Sequence, residues 1–286
     1  MRTLAALARE SGTFAIVAMD QRESLRTMLA QHHPGPIADE RLVSFKLAVA
    51  RELAPHASGF LIDRHYAFEA VSADGVVPSS CGLVLAVDEL VQAPGAVVED
   101  TALDETAVGL AGERVAALKL LVIWRDDERR EQRLEMARRF VQLADGRGLL
   151  SVLEGVVRHD DREQAIVEAA AELAGVGPSL YKCEVPLHGR GTDAELEARC
   201  REIDAAVACP WVVLSQGVEP DDFPRAVTAA CRAGASGFLA GRALWSTTLA
   251  ADDPTALLRE RSVPRLRELA ELVDTYGRPW HEKGGP

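Results

Sequence analysis

The chain has 286 residues, of which 48% are hydrophobic and 27% charged, so it can bury a substantial core in one or two domains. Its net charge of −12 disfavours nucleic acid and anionic membranes as partners, because both attract cationic proteins. The five cysteines show neither CxxC pairs nor zinc-ligand spacing, and there is no secretory signal or membrane-spanning apolar run, so a cytoplasmic protein with reduced thiols is expected.

Short apolar runs rich in β-branched residues alternate along the chain with longer segments of helical spacing. Strands are predicted at 14–19, 59–63, 82–87, 117–124, 149–154, 179–184, 211–215 and 236–240. Helices are predicted at 39–54, 127–145, 162–174, 193–206, 220–233 and 264–275. The stretch 88–112 is the least regular, because Pro94 and Gly95 interrupt any helix there, and a short extra element is possible.

This rhythm predicts the fold class. Near-continuous apolar strands separated by helices indicate a parallel sheet covered by helices. Eight such strands, with no linker or repeat between them, favour an α/β protein with one (β/α)8 TIM-barrel domain over residues 1–286. A doubly wound sheet is the alternative, but the GxGxxG fingerprint does not follow the first strand.

Polar residues stand at the ends of the predicted strands, where a barrel has its active site. An inward-facing polar group in an apolar strand is costly unless it is paired, so this concentration predicts a functional site. The residues are Asp20, Gln21, Arg22, Asp63, Arg64, Lys119, Glu154, Lys182, Glu184, Ser215, Gly217, Gly241 and Arg242. Among them, Asp63 is assigned to substrate binding.

Two lysines lie inside strands that should be buried. Lys182 is in SLYKCE and Lys119 is in ALKLLVIW, and lysine is rarely buried without a purpose. Burial lowers the pKa of an amine, which frees it to attack a carbonyl, and a second nearby cation acts in the same direction. The alternative is that each lysine is a snorkelling or ion-paired structural residue.

A carboxyl group, Glu154, ends the strand between the two lysines. Making or breaking a C–C bond beside a carbonyl needs a proton-transfer group whose pKa is near neutral, and Glu154 is the candidate. Its alternative role is that of a structural counter-ion to Lys119 or Lys182.

The ends of the last two strands have the composition of an anion site. LSQGV supplies Ser215 and Gly217, and FLAGRALWS supplies Gly241 and Arg242 where a short helix can begin. Barrels often bind phosphate at this position through backbone N–H groups, and arginine adds a fork of donors. The alternative is an ordinary turn with a surface arginine.

Loop residues and missing motifs complete the prediction. Arg158, His188 and Arg190 follow the fifth and sixth predicted strands, either as contacts to the far end of a substrate or as solvated loop charges. HExxH, GxSxG and Walker sequences are absent, so no metal site, serine triad or nucleotide hydrolysis is predicted.

Five segments together carry a family resemblance. They are AMDQRESLRTML (18–29), ALKLLVIWRDDERREQRLEM (117–136), LYKCEVPLHGRG (180–191), PWVVLSQGV (210–218) and AGASGFLAGRALW (233–245). Over nearly its whole length the chain resembles the class I aldolases of the tagatose-bisphosphate and sulfofructosephosphate group. The second, fourth and fifth segments are most similar to the sulfofructosephosphate branch.

The resemblance implies roles for the candidate residues. Lys182 would be the Schiff-base lysine, Glu154 the acid/base and Lys119 a supporting cation, without a metal or other cofactor, because the iminium is the electron sink. Asp20 and Gln21 would line the pocket. The phosphate of a dihydroxyacetone phosphate half would be held by Ser215, Gly217, Gly241 and Arg242.

The substrate implied by the resemblance is a sugar phosphate, 6-deoxy-6-sulfofructose 1-phosphate. Tagatose 1,6-bisphosphate, a related hexose bisphosphate, or a barrel that binds sugar phosphate without turnover are the alternatives. Two departures concern the aldehyde half: Gly155 stands where relatives usually have proline, and the loop VVRHDDRE (156–163) is shorter than in the sulfofructosephosphate relatives. A homo-oligomer is expected.

Overall fold

Eight parallel strands close into a barrel in the computed structural model of the protein, which describes residues 2–72, 75–92 and 97–284. The strands in chain order are β1 (Phe14–Met19), β2 (Gly59–Asp63), β3 (Gly82–Ala86), β4 (Asp88–Val91), β5 (Asp100–Leu103), β6 (Val115–Trp124), β7 (Leu150–Val157), β8 (Leu180–Cys183), β9 (Trp211–Val213) and β10 (Gly237–Ala240). The barrel order is β1–β10–β9–β8–β7–β6–β3–β2, which confirms the predicted (β/α)8 fold.

Helices lie between the strands and cover the barrel. They are α1 (Glu23–Ala30), α2 (Asp39–Leu53), α3 (Phe68–Ser72), α4 (Glu105–Gly109), α5 (Arg130–Gly146), α6 (Arg162–Ala174), α7 (Asp193–Ala206), α8 (Phe223–Ala233), α9 (Arg242–Trp245), α10 (Thr255–Leu257) and α11 (Val263–Tyr276). Local signals fix several ends. Thr192 and Glu195 form a capping box at the start of α7, and Asp161 accepts a hydrogen bond from Gln164 N at the start of α6.

The barrel interior is filled by a layer of apolar side chains, which lies below the polar residues at the C-terminal ends of the strands. Because side chains alternate across a strand, one set of residues faces the barrel axis and the other packs against the helices. Ile16, Leu61, Val152, Leu180 and Val212 belong to one fully buried cluster of the interior set. Glu154 and Lys182 follow Val152 and Leu180 by two positions, so the same alternation carries them inward, one layer above these apolar side chains.

The stretch 88–112 contains the extra element that its irregular sequence allows. Strands β4 and β5 form an antiparallel hairpin, in which Asp88 pairs with Leu103 and Val91 with Asp100, and α4 follows. Pro94 and Gly95 lie outside the described residues. The hairpin therefore stands directly after β3, at the end of the barrel where the polar residues converge.

The chain after α11 packs against the other end of the barrel. Trp280 N donates to Gly12 O at 2.9 Å, and Arg278 N donates to Ala235 O at 3.0 Å. Asp204 accepts hydrogen bonds from Arg278 and Lys283, which ties the same segment to α7. Within the described ranges, no helix has the length and apolar composition needed to cross a bilayer.

Candidate active site

A cavity of about 700 Å³ opens at the C-terminal ends of the barrel strands. Its wall brings together residues from six strands and from the loops at the C-terminal end of the barrel, including the loop after β9. The sequence-predicted members of the wall are Asp20, Gln21, Arg22, Lys119, Glu154, Lys182, Glu184, Ser215, Gly217, Gly241 and Arg242. Two further predicted residues, Asp63 and Arg64, do not line it.

Strand register brings the two lysines and the glutamate together. Lys182 is the direct neighbour of Glu154 in the pairing of β7 with β8. Lys119 pairs with Val152, two residues before Glu154, in the pairing of β6 with β7. Residues two apart share a face of a strand, so Lys119, Glu154 and Lys182 all point into the barrel.

The lysines and carboxylates form a buried chain of ion pairs. Lys119 Nζ lies 2.7 Å from Glu154 Oε2, 2.9 Å from Asp20 Oδ2 and 3.1 Å from Asp88 Oδ1. Lys182 Nζ lies 2.9 Å from Glu154 Oε1. Lys119 and Lys182 are only 1% and 4% exposed, so these interactions act in a medium that weakens them far less than water does. Glu154 therefore bridges the two ammonium groups.

The ion pairs between these lysines and carboxylates determine which of the groups are charged. Burial alone lowers the pKa of Lys119, but Asp20, Asp88 and Glu154 outweigh it and raise that pKa well above its usual value. Burial alone raises the pKa of Glu154, but Lys119 and Lys182 outweigh it, and the pKa of Glu154 is lowered. At neutral pH the unliganded site thus contains an ammonium at Lys119 and a carboxylate at Glu154. This differs from the near-neutral pKa that the sequence analysis attributed to Glu154.

Asp88 belongs to this set of buried ion pairs but was not predicted from the sequence. It is 3% exposed, and its Oδ1 accepts hydrogen bonds from Lys119 Nζ and, at 3.2 Å, from Leu121 N. Arg22 Nη2 donates to the Asp88 carbonyl at 2.6 Å and to its Oδ2 at 3.2 Å. A signal was present, because Asp88 comes two residues after β3 ends, where a barrel presents its functional side chains.

Asp63 requires a correction. It was predicted to bind substrate, but it is fully buried and its Oδ2 pairs with Lys46, which is also fully buried. Its Oδ1 accepts hydrogen bonds from His65 N at 2.9 Å and Tyr66 N at 3.2 Å. Both oxygens are thus used, Oδ2 by a lysine of α2 and Oδ1 by the turn that follows β2. Lys46 Nζ also donates to Met19 O at 2.8 Å, so this ion pair fixes the end of β1 next to the cavity.

The predicted anion region lies where β9 and β10 end. Arg242 is half-buried and its Nη2 donates to Gln216 Oε1 at 3.1 Å, while no carboxylate among the described residues lies within 4 Å of its guanidinium. Ser215 Oγ accepts a long hydrogen bond of 3.4 Å from Ala243 N. Gly217 has φ +76°, which favours glycine, and a Cβ on Gly241 would collide with a backbone carbonyl.

Three further basic side chains stand on the cavity wall after β7 and β8. Arg158 and His188 line the cavity, as does Arg162, which the sequence analysis did not name as a site residue. Arg162 Nη2 donates to Glu184 Oε1 at 3.3 Å and to Val185 O at 3.1 Å. Arg190 is exposed and does not line the cavity. Arg158 therefore adds a positive charge to this part of the wall, whereas the charge of Arg162 is paired with Glu163 and Glu184.

A possible cation site lies outside the cavity. Among the described residues, His65, Glu89 and Asp104 are the group whose ligand atoms lie close enough together to hold a metal ion. Arg64 forms ion pairs with both Glu89 and Asp104 and so supplies a positive charge to them already. None of the three lines the cavity, so this group does not contribute to the chemistry of the lysine cluster.

The geometry allows a defined set of reactions. A buried amine next to a carboxylate can attack a carbonyl while the carboxylate transfers the proton. A second ammonium, whose pKa is raised as that of Lys119 is, can stabilise negative charge that develops nearby. A guanidinium without a carboxylate partner, beside a hydroxyl and two glycines, can hold an anionic group of the same substrate.

Comparisons with known proteins show the family to which the chain is similar. A family model described as DeoC/LacD family aldolase matches residues 14–247. The chain is 28% identical over 276 residues to a tagatose 1,6-diphosphate aldolase of Staphylococcus haemolyticus, covering 84% of this chain and 83% of that protein. The tagatose 1,6-diphosphate aldolase of Staphylococcus aureus strain JH9 is 27% identical over the same length, covering 84% and 82%.

Solved structures share the fold. The fructose-bisphosphate aldolase of Plasmodium falciparum superposes with a TM-score of 0.70 at 12% identity, covering 96% of this chain and 93% of that one. An archaeal fructose-1,6-bisphosphate aldolase, solved with its catalytic lysine covalently bound to the carbinolamine intermediate, gives 0.62 at 19% identity, covering 95% and 98%. At these identities the likeness establishes the barrel fold.

Proposed function

The chain belongs to the DeoC/LacD family of aldolases, and we propose that it reversibly cleaves a ketose 1-phosphate through a Schiff base on Lys182. The products are dihydroxyacetone phosphate and an aldehyde. In this proposal Glu154 is the acid/base, and Lys119 is a cation that remains charged throughout. Asp20 and Gln21 line the pocket beside them.

The unequal surroundings of the two lysines carry this proposal. Lys119 Nζ is within 3.1 Å of three carboxylates, which hold its proton and make it a poor nucleophile. Lys182 Nζ has one carboxylate within 4 Å among the described residues, Glu154, and shares it with Lys119. Because an attacking amine must first lose its proton, Lys182 is the better nucleophile, and its proton acceptor is already in contact.

The reaction follows from these contacts. Lys182 transfers a proton to Glu154, and its neutral amine attacks C2 of the ketose. A second proton then passes from the nitrogen to the C2 oxygen, which gives the neutral carbinolamine. Glu154 returns the proton to the carbinolamine hydroxyl, which leaves as water and gives the iminium. Glu154 then takes the proton of the C4 hydroxyl as the C3–C4 bond breaks, the aldehyde departs, and the electron pair moves into an enamine. Protonation at C3 and addition of water release dihydroxyacetone phosphate and free Lys182.

The phosphate at C1 is assigned to the end of the cavity formed by β9 and β10. Arg242 supports this assignment because it is half-buried and lacks an ion-pair partner among the described residues. Ser215 supplies a hydroxyl, and Gly217 and Gly241 allow backbone to approach the ligand closely. Binding the phosphate here orients C2 toward Lys182.

For the other end of the substrate, we propose the sulfonate of 6-deoxy-6-sulfofructose 1-phosphate, which would yield 3-sulfolactaldehyde. The support is the resemblance of three segments to the sulfofructosephosphate aldolases, together with the arginine side chain of Arg158 on the cavity wall. Tagatose 1,6-bisphosphate is the second candidate, because relatives at 28% identity are named tagatose 1,6-diphosphate aldolases. A product assay with both ketoses, each at matched concentration, distinguishes them by the ratio of their kcat/KM values.

Borohydride trapping tests the Schiff base. Reduction in the presence of dihydroxyacetone phosphate should add the mass of the reduced ketone to the peptide that contains Lys182, and Lys182→Met should abolish the label. Lys119→Met is the matched control, since it removes the other buried lysine and should leave Lys182 labelled. Labelling at position 119, or an active enzyme that cannot be labelled, would refute the assignment. EDTA should leave turnover unchanged.

A further inference from the structure

The loop after β8 contains a histidine, His188, whose backbone is in the left-handed region. Leu187 and His188 have φ values of 55° and 51° and are the non-glycine residues with positive φ among those that the structure describes. Left-handed backbone is uncommon for such residues and persists only where the surroundings enforce it, often at functional sites. The position of His188 is therefore maintained by specific contacts.

Neighbouring elements supply those contacts. Glu163 Oε2 accepts a hydrogen bond from Leu187 N at 2.9 Å. Arg225 donates to the carbonyl of Gly189 at 2.5 Å and to that of Gly191 at 2.9 Å. The loop is thus attached to α6 on one side and to α8 on the other.

The result is that the imidazole of His188 lies against the predicted phosphate loop. A Cβ added at Gly217 would come 2.5 Å from His188 Nδ1 and 3.1 Å from its Cε1, so the ring occupies the space of a side chain at that position. The ring also lines the cavity. Its Nδ1 is buried and has no hydrogen-bond partner among the described residues. A buried nitrogen without a partner is costly, so the protein leaves unmet a hydrogen bond that this ring can make.

We propose that His188 binds the phosphate held by Ser215 and Gly217, and that its imidazole takes up a proton when that phosphate arrives. This inference rests on the proposed function, to which it adds a substrate-binding residue. The proposal also differs from the sequence-based expectation, in which His188 either contacts the far end of the substrate or is a solvated loop residue.

The charges around the ring explain the uptake of a proton. Burial lowers the pKa of His188, and Arg162 on α6 and Arg190 in its own loop lower it further. Glu163 on α6 and Glu184 after β8 oppose this without reversing it. The free protein thus carries a neutral ring at pH 7. A bound dianion favours the imidazolium, so the contribution of His188 to affinity is full at low pH and is lost as the pH rises through its pKa in the complex.

Titration calorimetry with sn-glycerol 3-phosphate tests the proposal. This probe has the phosphate of dihydroxyacetone phosphate but no carbonyl, so it cannot form an imine with Lys182. Measurements at pH 7 in two buffers with different heats of ionisation give the number of protons taken up. The comparison protein is His188→Asn, because asparagine tolerates positive φ and does not titrate. Its binding should be about tenfold or more weaker, with less proton uptake.

The matched control is His159→Asn, which changes an exposed histidine in the loop after β7 that does not line the cavity. It should keep the affinity and proton uptake of the parent protein. If circular dichroism shows that His188→Asn is unfolded, His188→Gln takes its place.

Two results would overturn the inference: equal affinity and proton uptake in the His188 variant and the parent, or weaker binding of 3-sulfolactaldehyde with unchanged binding of glycerol phosphate. Failure of borohydride trapping would instead count against the proposed Schiff base, which the calorimetry does not involve.

Discussion

Replacement of Glu154 by glutamine is the sharpest test of the buried ion chain. Both carboxylate oxygens are in use, Oε2 with Lys119 Nζ at 2.7 Å and Oε1 with Lys182 Nζ at 2.9 Å. A glutamine side chain has the same shape but offers one acceptor oxygen and an amide that only donates. One of the two ammonium groups must therefore lose its partner, and the site loses its proton carrier.

The magnitude follows from these two losses. A hydrogen bond to a charged group contributes about 1.5–3 kcal/mol, so Glu154→Gln should lower the free energy of unfolding by roughly that amount. Loss of one positioned acid/base costs about 10²- to 10⁴-fold in rate, so C–C cleavage should fall by that factor. Imine formation should stay measurable, because removal of the anion also favours the neutral amine of Lys182.

The assay compares borohydride labelling at Lys182 with turnover of the ketose in the same preparation. Glu184→Gln is the matched control, since Glu184 is a buried carboxylate on the same cavity wall that bonds Val157 N and Arg162. The control should keep the parental ratio of cleavage to labelling, whereas Glu154→Gln should lower it at least a hundredfold by the same estimate. Cleavage at the parental rate in Glu154→Gln would mean that Glu154 is a structural counter-ion, and the mechanism proposed above would be wrong.

Two further substitutions test the edges of the site. Arg242→Ala should reduce kcat/KM for a ketose 1-phosphate about ten- to 150-fold, the equivalent of one charge-assisted hydrogen bond. It should reduce labelling by dihydroxyacetone phosphate far more than labelling by free dihydroxyacetone, and equal losses would show that Arg242 is structural. Lys46→Met leaves the buried Asp63 unpaired and should lower the free energy of unfolding by about 3–5 kcal/mol. Thermal melts should show partial recovery in the Lys46→Met/Asp63→Asn double variant, and no recovery would mean that the two residues are not energetically coupled.

The barrel was predictable because the evidence for it is local. Strands buried on both faces appear in sequence as continuous apolar runs, and β1 and β7 are buried at every position. Their ends were less certain. The run predicted at 149–154 extends to Val157, because Gly155 and Val156 continue the ladder with β6. The same local evidence identified Lys119 and Lys182, since a charged residue inside an apolar run is conspicuous.

What the sequence did not reveal is which partner each charged group finds. Asp63 and Asp88 both stand near the ends of strands, yet Asp63 is used by Lys46 and Asp88 by Lys119. Those pairings depend on how α2 packs on the barrel and on the hairpin that begins with β4. The spacing of residues in the sequence indicates neither arrangement. The position of a carboxylate at the end of a strand therefore does not tell whether it binds ligand or is structural.

The ion pairs of Glu154 with Lys119 and Lys182 explain why its pKa is lowered in the free protein, although a near-neutral pKa was expected. Two ammonium groups keep that carboxyl ionised before substrate binds. Once Lys182 has given up its proton and attacked the carbonyl, the carbinolamine nitrogen is uncharged, and one of the two stabilising cations is gone. The pKa of Glu154 must then rise, because Lys119 alone opposes the effect of burial. Glu154 thus keeps the proton it has taken until the step where the hydroxyl has to leave as water, and formation of the cationic iminium favours its carboxylate form again.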